Sequence, residues 1–133
     1  MSGNISVRSH SYQIDNREWL IGQHGVDATP SVTLDVSLFT KNTHYPNGFI
    51  PSGTRIAKVT ATGLYGPYDN ALSNGQEVCA GLLFSFAPVI DEFGNTATKV
   101  GGARYVHGVV KESKLPGTID AAGKADLPLI VWV

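Results

Sequence analysis

The sequence predicts a mainly β fold: one small domain of short strands and tight turns, with one short helix and an extended N-terminal arm. Three observations carry this. Apolar side chains recur with a period of two across residues 32–39, β-branched and aromatic residues fill several short runs, and Gly, Pro and Asn interrupt those runs at close intervals. A chain of 133 residues fits a single domain, long enough to bury about two thirds of its unfolded surface.

Residues 1–30 are rich in Ser, Asn, Gln, Arg and His, with isolated apolar groups at Tyr12, Ile14, Trp19, Leu20 and Ile21. Ordering such a segment costs about 1–2 kcal/mol per residue in backbone entropy and buries little in return, so it reads as an arm that waits for a surface to cover it. Trp19 and Leu20 are its natural anchors, with Tyr12 and Ile14 beside them. Residues 31–133 form the β-rich domain. In residues 32–38, Val32, Leu34, Val36 and Leu38 make one apolar strand face. Tyr45-Pro46-Asn47-Gly48 and Pro51-Ser52-Gly53 are turns.

Residues 55–62 form the next strand, broken by Gly63-Leu64-Tyr65-Gly66-Pro67-Tyr68-Asp69. Asn74-Gly75 is a hairpin-grade turn. Residues 78–86 are almost continuously apolar, as a strand covered on both faces would be. Gly101-Gly102 reads as a hairpin loop, residues 104–110 as a strand, and residues 129–133 as the closing strand. Residues 119–127 alone have helix-like composition, ended by Pro128.

Composition bears on function by exclusion. Lys plus Arg total 10 against 11 for Asp plus Glu, so no positive field draws a nucleic acid. Lys111 and Lys114, with Glu112 between them, read as a solvated strand end. The charged share is only 16%, against a usual figure of about 25%, which leaves a neutral surface suited to close protein contacts. The longest apolar stretch, residues 78–90, contains Pro88 and falls short of the roughly 20 residues a membrane span needs. Residues 1–10 lack the apolar core of a secretory signal, so synthesis in a cytoplasm is expected. The one cysteine, Cys79, lies in an apolar run and reads as a small buried side chain.

Catalytic signals are weak. His24 and His107 each precede a glycine, His44 sits beside Tyr45-Pro46 and His10 lies in the arm, so no two share a ligand spacing. Each reads as a hydrogen-bonded structural residue. No Gly-x-Ser-x-Gly elbow exposes a serine. Asp35, Asp91, Glu92, Asp120 and Asp126 are dispersed among turns, caps and strand faces. Gly101-Gly102 lacks the Lys and Ser or Thr of a phosphate loop. The expectation is a non-enzymatic protein with no cofactor and no metal.

One pattern is more specific: Ile50-Pro51-Ser52-Gly53-Thr54-Arg55-Ile56-Ala57-Lys58-Val59-Thr60, then Gly63 to Asp69 as above, then Asn74-Gly75-Gln76-Glu77-Val78-Cys79-Ala80-Gly81-Leu82-Leu83. With Val106-His107-Gly108-Val109-Val110-Lys111-Glu112-Ser113-Lys114-Leu115, it resembles the head decoration proteins of tailed phages, the family of the lambda decoration protein D. The arm Asp15-Asn16-Arg17-Glu18-Trp19-Leu20 and the segment Asp120-Ala121-Ala122-Gly123-Lys124-Ala125-Asp126 are similar to the longer versions from actinobacterial phages.

The resemblance implies a β-clip-like domain that assembles as homotrimers at threefold positions of the expanded capsid. It would lie on the outer surface of the virion and cement the shell, with the major capsid protein as partner and neither nucleic acid nor membrane involved. The arm of such a protein can add a strand to an exposed capsid edge, with Tyr12, Ile14, Trp19 and Leu20 filling pockets, and three linked grips raise avidity.

Two other readings compete. An accessory virion domain could present residues 45–49 or 65–68, with their aromatics, to host-surface glycans or proteins. Trimeric β-clip folds also include nucleotide hydrolases, but nothing in this chain resembles their Asp-containing metal motifs.

Overall fold

The structure, a computed structural model, describes residues 15–91 and 93–133. Among them, ten strands and two α-helices follow in order: β1 (Leu20–Ile21), β2 (Ser31–Asp35), α1 (Lys41–His44), β3 (Phe49–Ile50), β4 (Arg55–Lys58), β5 (Tyr65–Pro67), β6 (Gly81–Leu83), β7 (Ala87–Pro88), β8 (Lys99–Tyr105), β9 (Gly108–Val110), α2 (Ala121–Ala125) and β10 (Ile130–Trp132). The chain is mainly β, as its residue pattern predicts.

Local polar groups set the strand lengths. In β2, Val32 and Leu34 are buried and Ser31 and Thr33 exposed, but the strand stops at Asp35 rather than continuing to Phe39. The Asp35 carboxylate accepts hydrogen bonds from Ser37 N at 3.1 Å and Ser37 Oγ at 2.6 Å, and the chain coils into a 3-10 turn at Val36–Leu38. A side chain that bonds its own backbone offers an alternative to the ladder. The Tyr45 to Gly48 turn forms as expected, closed by Gly48 N to Tyr45 O at 3.1 Å, with Gly48 at φ +84°.

Strands β2-β5-β4-β6-β8 close a five-stranded barrel. Pairing is antiparallel except between β2 and β5, which meet in parallel at Leu34 and Tyr65. Period-two alternation then divides the interior into two cores. Ile56 and Leu83 point to one side, with Val32, Leu34, Phe39 and Ile50. Their neighbours Ala57 and Leu82 point to the other, with Trp19, Tyr105, Val110, Ile119, Leu127 and Ile130. Strand β6 is therefore buried on both faces, but the strand expected over residues 78–86 forms only at Gly81–Leu83, and Val78 is 54% exposed. A second sheet, β1-β9-β10, covers the outer core; β9 runs antiparallel to β1 and parallel to β10. A two-stranded ribbon, β3-β7, completes the fold.

Further expectations are corrected. Gly101-Gly102 is not a loop: both glycines lie inside β8, opposite Thr33 and Val32. A Cβ on Gly102 would sit 2.9 Å from Leu83 Cδ1, so the glycine is there for close packing in the barrel. The helix expected over residues 119–127 forms only at Ala121–Ala125, N-capped by Asp120, whose carboxylate accepts from Gly123 N at 2.7 Å. It is also not alone, because a single-turn helix forms at Lys41–His44. Finally, residues 15–30 are not an extended arm. Arg17 bonds Ser85 Oγ at 2.8 Å, β1 pairs with β9, and Tyr105 Oη donates to His24 O at 2.7 Å.

Candidate functional site: an apolar sheet face

Strand β10 alternates as a half-covered strand should, but its outward residues are apolar. Ile130 is buried beneath the sheet, while Leu129, Val131 and Val133 are 61%, 58% and 63% exposed. Ladder register extends the pattern sideways: Val131 is paired with Val109, and Val109 with Ile21. Paired residues project from the same face, so Ile21, Val109 and Val131 form one row of branched side chains with Leu129 and Val133 flanking it. The reverse row, Leu20, Val110 and Trp132, faces inward. An ordinary one-sided sheet puts polar groups on its outer face; this one carries none at those five positions.

Within its sheet β10 is an edge strand, with β9 on one side only. Exposed apolar faces and open strand edges are the kinds of surface that protein contacts use. At about 4.8 Å between strands and about 3.3 Å per residue, two residues of β1, three of β9 and the five of residues 129–133 give the face about 160 Å². Stable contacts bury about 800 Å² per partner, so this face alone is smaller than one such contact needs. Val78, 54% exposed, lines an open groove of about 440 Å³ together with Leu129, Pro128 and Tyr65. This groove adjoins the face at Leu129.

The residues expected to grip a partner are placed differently. Trp19 is 1% exposed, packed edge-on against Tyr105 with ring centroids 5.3 Å apart, and its Nε1 donates to Ser52 Oγ at 3.1 Å. It anchors the N-terminal segment to its own domain and is not free to fill a pocket elsewhere. Leu20 is half-buried in β1, on the inward row. Tyr12 and Ile14 lie outside the described residues. Position 21, rather than 19 or 20, carries the exposed apolar group, because the two-residue pairing of β1 turns Leu20 in and Ile21 out. Upstream, Asp15 bonds Phe86 N at 3.3 Å and pairs with Arg17 at 2.8 Å, and the Arg17 guanidinium lies 4.3 Å over the Phe84 ring.

The aromatic loops are largely packed. Tyr45 and Tyr68 are buried, and the Tyr68 hydroxyl donates to Asp120 at 2.7 Å. That bond and the Gly123 amide hold the Asp120 carboxyl below its usual range. Burial pushes the Cys79 thiol up to about 11, so it stays protonated and unreactive at neutral pH. Asp91 caps its loop through Phe93 N and Asn95 N. His44 Nδ1 accepts from Thr40 N at 2.8 Å, and burial together with Arg55 lowers its pKa.

The fold does bring two histidines together that sequence spacing kept apart. His24 and His107, separated by 83 positions, place their Nε2 atoms 3.3 Å apart. The visible signal was the glycine that follows each, since both glycines turn out to permit the close approach. Among the described residues no group of three or more His, Cys, Asp and Glu side chains could hold a metal, and no helix is long and apolar enough to cross a membrane. No protein-family model matches the chain, and it has no match among curated proteins.

Proposed function

We propose that the chain is a capsid decoration protein, which binds the outer surface of an expanded phage shell and cements it, assembling as trimers at threefold positions. The observation that carries this reading is the outward row Ile21, Val109 and Val131 with Leu129 and Val133, an apolar surface on a small domain with few charges. The resemblance of residues 50–115 to phage head decoration proteins supports it independently. In this reading the apolar face is the globular domain's share of the contact.

The segment upstream of Asp15 supplies the remaining share. Asp15 is six residues from Ile21, and a chain spans at most about 3.6 Å per residue, so that segment starts within about 22 Å of the face and can grip the same partner. Cementing then rests on burial spread over linked contacts, not on catalysis.

The test is co-sedimentation of the purified protein with undecorated shells of its own phage, comparing compact precursor shells with expanded ones at matched salt. Saturable binding to expanded shells alone is expected. Absence of binding to both would overturn the capsid reading.

A further inference from the structure

We propose that His24 and His107 form a two-histidine site for a borderline divalent transition-metal ion of the Zn²⁺ class, one that ties the segment between β1 and β2 to the turn between β8 and β9. The Nε2 atoms are 3.3 Å apart. Two nitrogens bound to one zinc at about 2.05 Å and a tetrahedral angle stand about 3.3 Å apart. The ring centroids, at 4.3 Å, are farther apart than the nitrogens, so the rings open away from the point where their nitrogens meet. A bound tetrahedral ion would set the centroids about 5 Å apart, a splay of about 1 Å that exposed His24 can supply by side-chain rotation.

The backbone beneath the pair is fixed by two close approaches. A Cβ on Gly25, which has φ +78°, would meet His107 O at 1.8 Å. A Cβ on Gly108, at φ +140°, would meet Tyr105 Oη at 1.8 Å and His24 O at 2.5 Å. Tyr105 Oη in turn donates to His24 O at 2.7 Å. Each histidine therefore sits beside a glycine that lets the other's strand or loop come near, and the backbone beneath both imidazoles is placed before any ion arrives. Preorganised ligands lose less freedom on binding.

Imidazole favours Zn²⁺, Ni²⁺ and Cu²⁺ over Mg²⁺ and Ca²⁺, which prefer oxygen. No third His, Cys, Asp or Glu joins the pair among the described residues, so water fills the remaining positions or a neighbouring molecule's ligand does. The site is independent of capsid binding and stands whether or not the decoration reading does.

Titration of the purified full chain with Zn²⁺ tests it, read by calorimetry and by the imidazole ¹H–¹⁵N resonances. One ion per chain should bind and shift the Nε2 signals of His24 and His107 together, with Mg²⁺ and Ca²⁺ producing no shift. His24→Asn and His107→Asn should each weaken binding about tenfold or more, because a single imidazole loses the effective concentration of its neighbour. Unchanged affinity in both variants, or Zn²⁺ shifts confined to other histidines, would overturn the proposal. The resonance readout on the unaltered chain keeps the test decisive should a substitution loosen the loop.

Discussion

Trp19 has one polar atom, and its partner shows what the residue is for. Its indole Nε1 reaches Ser52 Oγ, and Ser52 Oγ donates to Phe84 O at 2.6 Å, so a buried hydroxyl joins the N-terminal segment to the end of β6. Gly53 next to it has no room for a Cβ, which would lie 2.8 Å from that same Nε1. Trp19→Ala should therefore cost about 3–5 kcal/mol of unfolding free energy by loss of a filled core site. Ser52→Ala should cost about 1–3 kcal/mol by leaving the indole donor unpaired. Urea denaturation of the isolated protein measures both. An anchor reserved for another protein would leave the isolated chain's stability unchanged on truncation, so a midpoint shift below the experimental scatter for Trp19→Ala would contradict this placement.

At the scale of elements, the adjacent glycines of β8 make opposite demands. Gly102 lies inside the barrel, where a Cβ meets Leu83 Cδ1 at 2.9 Å, whereas Gly101 has nothing within 4 Å of its Cβ position. Gly102→Ala should destabilise by about 1–3 kcal/mol through overpacking. Gly101→Ala should stabilise by about 0.5–1 kcal/mol through reduced freedom of the unfolded chain. Thermal unfolding of the two variants side by side gives the signs; equal effects would show that the barrel wall yields at Gly102.

This pair also marks where sequence reading stops. A Gly-Gly dipeptide signals a turn by its local freedom, and only the partner strand, with Val32 and Leu83 crowding one side, reveals that the missing side chain is a packing feature. By contrast, a buried strand within residues 78–86 and a short helix within residues 119–127 were legible, because a continuous apolar run and an Ala-rich segment before a proline act through neighbours in the chain; their bounds, Gly81–Leu83 and Ala121–Ala125, were not. Trp19 was misplaced for the same reason as the glycines: its apolar setting is supplied by Tyr105, Val110 and Ser52, all distant in sequence.

At the scale of the whole molecule, two cores back to back consume most of the large apolar residues, which makes the outward face of β1-β9-β10 conspicuous. Leu129, Val131 and Val133 contribute little to the fold where they stand, since the stabilising burial in β10 comes from Ile130 and Trp132. A charge placed there should separate folding from docking. Val131→Lys puts one ammonium at the middle of the row, between Leu129 and Val133 and beside Val109. On the free protein it should change stability by no more than about 0.5 kcal/mol, as exposed substitutions do. Against expanded shells it should weaken binding by about tenfold or more, because an unpaired charge buried at the centre of an apolar contact costs well over 1.4 kcal/mol. Thr33→Lys, which puts the same ammonium at an exposed position of the barrel strand β2, serves as the control for general surface change. Full binding by Val131→Lys would mean that this face stays in solvent on the shell and that the segment upstream of Asp15, with other parts of the domain, makes the contact alone.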